Sequence, residues 1–274
     1  SNFQRRVERK IDEKLKSTEY TLVTIECGAD IDGMAGFLQA VVQGNAAAGL
    51  IVFPDEKDLL IKHVLADARV PVVILGREVE GYLADTVCTD TFEGAYKGTK
   101  HLINKGHERI AFLGRSSDRM PMRLEGYKKA LEESGIPAEE AYIYPHLQND
   151  MDFFEAMDRL LEKDHMPTAV LLANYAVVTP FLKYISAHNI QCPGDISVVC
   201  FDFFEWAPLY TPALTTIEQD VEPYAELAAD TLLKRIARQE PANQPAFKEV
   251  YKTETLSMKL VVRDSTRGIG RGPC

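Results

Sequence analysis

Short runs of apolar residues alternate with amphipathic stretches along almost the whole chain. Val72–Leu75, Arg109–Leu113, Thr168–Leu172 and Ile196–Phe201 are mostly continuous apolar runs. They lack the polar alternation of a half-exposed strand, so both faces must be covered, as in a parallel sheet with helices on either side. Between such runs, residues 3–17, 33–43, 57–68, 92–105, 122–134, 152–163, 177–188 and 221–238 read as helices. The first repeats Phe3, Val7, Ile11 and Leu15 on one face, and Gly135 with Pro137 stops the helix over 122–134. Thr21–Glu26, Leu50–Phe53, Thr86–Cys88 and Tyr142–Tyr144 read as further strands, and 247–262 as extended chain. Strands and helices in alternation with short loops predict an α/β protein with parallel sheets.

There are too many such units for one small sheet, and no repeat or low-complexity linker divides them. The reading is two Rossmann-like lobes joined by three crossover segments. Residues 1–88 plus 221–246 form one lobe and 90–219 plus 248–264 the other, with crossings near Thr89, Asp220 and Phe247. The Gly- and Arg-rich end leaves 265–274 as an expected disordered tail.

Composition excludes several functions. The net charge of −10 argues against a nucleic-acid surface within this chain. No apolar run approaches the ~18–20 residues of a membrane span. Residues 1–16 are charged and amphipathic, unlike a signal peptide. Cys27, Cys88, Cys192, Cys200 and Cys274 are scattered, which suits reduced thiols in a cytoplasm. No GxxxxGK[ST], HExxH or GxSxG pattern is present, and Ser116-Ser117 has no neighbouring base in sequence. The expectation is therefore a protein that is not an enzyme and uses no metal or cofactor.

Residues 195–219 carry the functional signal. The strand Ile196–Phe201 ends in Asp202, followed by Phe203, Phe204 and Trp206. Ligands of open α/β sheets bind at the carboxyl ends of the strands. A carboxylate there takes hydroxyls, while aromatic faces cover the C–H face of a sugar ring. Asn174 follows Thr168–Leu172, and Arg123 opens the helix after Arg109–Leu113, so both sit at the same edge. Arg123 also reads as a surface charge, Asn174 as a helix cap and Asp202 as a turn residue.

Several segments together resemble the lactose/galactose-repressor (LacI/GalR) family of bacterial transcription regulators. They are Cys88–Ile103, Gly106–Gly114, Arg123–Leu131, Ala173-Asn174, Asp195–Asp202 and Leu260–Thr266. The resemblance implies a bilobed, periplasmic-binding-protein-like core that dimerises and binds an effector between its lobes. It implies effector contacts at Arg123, Asn174 and Asp202, with Phe203 and Trp206 at the border and a contact near Gly76 in the first lobe. Tyr175 and Phe203 replace acidic residues common in the family, which makes the site more aromatic. It further implies a helix-turn-helix for operator DNA and a first core strand, neither of which this sequence contains. The expected effector is a sugar, a sugar derivative or a sugar phosphate. The competing readings are an exported sugar-binding protein of a transport system and an enzyme on a doubly wound sheet.

Overall fold

The structure is a computed structural model; it describes residues 2–26, 36, 39–43, 46–54, 65, 68–162, 166–202, 205–238 and 251–269. The chain divides into two compact units, Ser1–Thr89 with Asp220–Leu256 and Asp90–Gln219 with Ser257–Cys274.

The first unit contains α1 (Asn2–Leu15), β1 (Leu50–Val52), β2 (Val72–Gly76) and β3 (Asp85–Thr89). The second contributes α2 (Thr91–Asn104), β4 (Ile110–Arg115), α3 (Met120–Glu132), β5 (Ile143–Leu147), α4 (Asp150–Leu161), β6 (Ala169–Leu172), α5 (Val178–Ala187), β7 (Ser197–Phe201) and β8 (Thr215–Gln219). The chain then returns to the first unit through α6 (Val221–Arg238) and β9 (Thr253–Leu256), and ends in the second with β10 (Met258–Val261).

In the first unit the strands run in the order β1-β2-β3-β9, all parallel. Alternate residues of β2 serve opposite cores. Val73 and Leu75 pack with Val7, Ile11, Tyr224 and Ala228 of α1 and α6, whereas Val72 and Ile74 pack with Val42, Leu65 and Val79. A buried ion pair ties α6 to the sheet. Arg235 Nε and Nη2 lie 2.6 and 3.0 Å from the two Asp85 oxygens, and Asp85 also accepts from the Lys252 amide at 3.0 Å.

The second unit has a six-stranded sheet in the order β10-β8-β7-β6-β4-β5, parallel except that β10 runs antiparallel to β8. Its central strands are buried along their length, as their unbroken apolar runs require. Ala111, Leu113, Val170, Leu172, Val198 and Cys200 face α4 and α5, and Ile110, Phe112, Leu171, Val199 and Phe201 face α2 and α3. Asp90 caps α2 by accepting from the Glu93 amide at 2.8 Å, and Pro121 sits in the first turn of α3. Helices α2 and α3 approach closely at Gly126, where a Cβ would lie 2.2 Å from the Phe92 carbonyl oxygen.

Three expectations need correction. Residues 21–26 are not a strand: Val23 is 76% exposed, and β1 pairs only with β2 among the described residues. The β-branched composition there favours extension, but a strand also needs a hydrogen-bonding neighbour. Residues 253–256 belong to the first unit, because β9 pairs with β3; the chain leaves that unit after Leu256 rather than near Phe247. The polar Thr253-Glu254-Thr255 run carries no signal for the sheet it joins. The end of the chain is ordered through Ile269, not disordered from 265. Ser265 is buried, its hydroxyl donates to the Val198 carbonyl at 2.7 Å, and the Ile269 amide bonds to the Lys105 carbonyl at 2.9 Å. The α/β architecture with parallel sheets is as expected, with β10 alone antiparallel at the edge of the second sheet. The helix expected over 57–68 and the supposed crossing at Phe247 fall mainly or wholly outside the described residues, as do Cys27 and Cys274.

Candidate functional site at the carboxyl edge of the six-stranded sheet

The carboxyl ends of β4, β5, β6 and β7 bring charged and polar side chains to one edge of the second unit. Arg123 enters from the first turns of α3. Its side chain is 4% exposed, and its guanidinium lies 4.2 Å from the centroid of the Phe201 ring. Nη1 donates to the Ala173 carbonyl, while Nε is buried without a partner among the described residues. Burial pulls the Arg123 pKa down, the Asp202 carboxylate pushes it back up, and Arg119 lowers it further. A buried cation with an unused N–H is costly unless an acceptor arrives.

Asp202 follows β7 with φ of 75°, a left-handed conformation that Asp tolerates better than most residues. Its amide donates to the Ile217 carbonyl at 2.9 Å, and one carboxylate oxygen accepts from the Tyr175 amide at 3.3 Å. That strained turn aims the carboxylate across the end of β6 rather than along the strand.

Asn174 is not the side-chain helix cap that its position suggests. The short 3₁₀ turn Tyr175–Val177 has no side-chain cap. Instead Asn174 grips β4: its Oδ1 accepts from the Arg115 amide at 3.3 Å and its Nδ2 donates to the Arg115 carbonyl at 2.7 Å. Both ends of its amide are thus engaged within the protein.

Trp206 is 36% exposed and meets Tyr210 edge-on, with ring centroids 6.4 Å apart. Tyr175 is 59% exposed and Leu209 81%. Phe203 lies outside the described residues. Gly76 ends β2 in the first unit with φ of 105°, a conformation that suits glycine. Arg123, Asp202 and Asn174 therefore share one sheet edge, and Gly76 belongs to the other unit.

Sequence reading missed two features here. Phe201 lies beneath the Arg123 cation, which a strand residue does not advertise. A second polar cluster joins Ser116 to His146 and Gln148: Ser116 Oγ is 3.4 Å from His146 Nδ1 and 3.2 Å from Gln148 Nε2. Their separation in sequence hides the contact, which the pairing of β4 with β5 creates. Among the described residues no group of three or more acidic, histidine or cysteine side chains is placed to hold a metal ion, and no helix is long and apolar enough to cross a membrane.

Comparison with known proteins places this geometry. Residues 99–266 match the periplasmic binding protein-like domain. An HTH-type transcriptional repressor PurR of Glaesserella parasuis is 28% identical over 254 residues, covering 92% of this chain and 74% of the relative. The repressor of the same name from Erwinia tasmaniensis is 30% identical over 240 residues, covering 85% of this chain and 69% of the relative. The crystal structure of a LacI-family transcriptional regulator from Enterococcus faecium with bound ribose aligns with a TM-score of 0.77 and 24% identity, covering 98% of this chain and 96% of that one.

Proposed function

The chain belongs to the periplasmic binding protein-like domain family, as the effector-binding core of a LacI/GalR-type transcription regulator, and from that premise we propose that its effector is a sugar or sugar derivative held at the carboxyl edge of the six-stranded sheet. The observation that carries this reading is Arg123. It is buried against Phe201, beside Asp202, with an N–H that no group among the described residues satisfies. A ligand oxygen would complete it, and Asp202 would accept a neighbouring hydroxyl. Tyr175, whose amide bonds to Asp202, supplies an exposed aromatic face of the kind ring C–H groups require, and the partly exposed Trp206 follows four residues after Asp202. The Enterococcus faecium regulator was solved with ribose, which is consistent with a hydroxyl-rich ligand.

In this reading the chain is the sensing and dimerising part of a cytoplasmic repressor. Operator DNA is bound through a separate helix-turn-helix domain. Effector occupancy shifts the protein between two conformations of unequal ligand affinity, a coupling of typically about 1–3 kcal/mol. The relatives are repressors by name, which favours regulation over transport.

Calorimetric titration with sugars tests the site. Asp202→Asn keeps a residue that tolerates the positive φ and removes only the charge. It should weaken binding about ten- to a hundredfold, the usual cost of one charged hydrogen bond. Binding as tight as that of the unaltered protein would place the ligand elsewhere.

A further inference from the structure

The second unit carries a groove along α2 and α3 that is separate from the Arg123–Asp202 site. Two glycines shape it. Gly126 lets the two helices approach closely at Phe92, the second residue of α2. Gly135, with φ of 68°, ends α3: its amide bonds to the Glu132 carbonyl at 3.0 Å, and the Ile136 amide bonds to the Leu131 carbonyl at 3.0 Å. These two bonds fix the turn that follows the helix, so the groove is preformed. It holds about 540 Å³, within the range of clefts that take ligands. Its floor is the half-buried Phe92 and Ile136 with the exposed Pro137 and Ala138. Apolar surface gathered in one cleft and rimmed by charge marks an interaction site, which scattered apolar residues do not.

The walls decide what fits. Lys128 and Lys129 line the groove, but glutamates take up their ammonium groups. Lys128 Nζ is 3.4 Å from Glu140 Oε1, and Lys129 Nζ is 2.9 Å from Glu132 Oε2 and 3.8 Å from Glu133 Oε1. Their aliphatic stems then extend the apolar lining. Exposed ion pairs of this kind are weak and exchange partners readily. Glu125, on the wall, and Glu139, just beyond the floor, have no ion pair among the described residues. Residues 125–140 carry five carboxylates and two ammonium groups, a net charge of −3. A polyanion or an acidic membrane surface is repelled there, and a cationic partner is attracted.

We propose that the α2–α3 groove is a docking site for a basic segment of a partner protein. An apolar side chain of the segment rests on Phe92, Ile136 and Pro137, and its Lys or Arg residues meet Glu125, Glu132 and Glu139. The floor supplies the anchor, and the carboxylates select the charge of the partner and speed its approach. The contact is small, so the complex is weak and reversible. The groove is lined by none of Arg123, Asn174 and Asp202, so a docked partner leaves the carboxyl edge open to its ligand.

Fluorescence anisotropy with three labelled peptides and the whole chain at physiological salt tests this. The probes are a short peptide of Lys and Leu in amphipathic helical order, its counterpart with Glu for every Lys, and its counterpart with Gln for every Leu. The Lys/Leu peptide should bind saturably. Each counterpart lacks either the charge or the anchor, and should bind at least about tenfold more weakly. Glu125→Lys/Glu139→Lys alters two exposed side chains, so it should melt like the unaltered protein, and it should weaken the Lys/Leu peptide about tenfold. Glu80→Lys/Glu155→Lys changes the net charge equally, at exposed positions outside the groove, and should leave affinity within about twofold. Equal weakening by the two double variants would reduce the binding to general attraction by an acidic chain and overturn the proposal. Binding of either counterpart as tight as that of the Lys/Leu peptide, or no binding of the Lys/Leu peptide, would overturn it too. Sedimentation covers the remaining occupant: self-association abolished by Glu125→Lys/Glu139→Lys alone would assign the groove to a second copy of this chain instead.

Discussion

Arg123 shows how one residue divides its cost between stability and binding. Its guanidinium is desolvated, its Nε is unsatisfied, and its compensation comes from the Ala173 carbonyl, the Phe201 ring and the Asp202 charge. Asp202 is only half-buried, so an apolar side chain of similar length at position 123 leaves no fully desolvated partner charge and removes the cost of burying the cation. Arg123→Met should therefore melt no lower than the unaltered protein while losing sugar affinity about ten- to a hundredfold. Thermal melts and titrations of the same sample separate the two effects; a large loss of stability would mean that Arg123 is structural. The place of Arg123 and Asp202 at the sheet edge was legible because each follows an apolar strand, where a charge has no packing role. Asn174 was only half legible. Its place at the edge was readable, but its grip on Arg115 depends on β4 lying beside β6, which no local pattern states. Ser116 and His146 were illegible as a pair for the same reason, with β4 and β5 as the neighbours.

At the scale of elements, the end of the chain behaves as a strap on the second unit. His101 Nε2 is 2.9 Å from Thr266 Oγ1, and His107 Nε2 is 3.1 Å from the Arg267 carbonyl while its Nδ1 meets Thr168 Oγ1 at 2.9 Å. Burial lowers the pKa of both rings below 6.5. The Lys105 charge adds to this at each, the Arg267 charge adds at His107, and the Arg267 carbonyl opposes it there. Below about pH 6.5 the unfolded chain then binds more protons than the folded one, so stability present above that pH is lost as pH falls. Melting temperature should be nearly flat from about pH 7 to 8 and decline between about 6.5 and 5, before carboxylates dominate. His107→Gln keeps an amide donor and acceptor and removes the titration, so its decline should be shallower. An identical pH profile for the variant would show that the strap does not respond to His107. The strap was unreadable because Arg267-Gly268-Ile269 has the composition of a loose tail, yet the cleft beside Gly106 receives its backbone. A Cβ on Gly106 would lie 2.6 Å from the Ile269 carbonyl oxygen. The 21–26 segment failed in the opposite sense: its residues favour a strand and none of the described residues pairs with them.

For the whole molecule, alternation of apolar runs and amphipathic helices was enough to anticipate more than one sheet, because buried parallel strands announce themselves without tertiary information. The points where the chain changes units were readable where a strand or helix starts abruptly, at Asp90 and Asp220. The last change was misplaced because β9 and β10 are separated by Ser257 alone and read as one extended run. Charge is the other property that belongs to the molecule rather than to any site. With 41 acidic and 31 basic side chains the chain carries −10. Affinity for DNA rises with the number of phosphates that Lys and Arg neutralise, and a net negative field opposes the approach of a polyanion. The chain alone should therefore leave duplex DNA unretarded in a gel-shift titration at physiological salt, with or without sugar. Fusing a basic helix-turn-helix domain to the chain should confer retardation that responds to the effector. Tight, salt-sensitive and sequence-specific binding by the chain alone would mean that a basic face within these two units reads DNA directly, and that the division of labour between sensing core and DNA-binding domain is drawn in the wrong place.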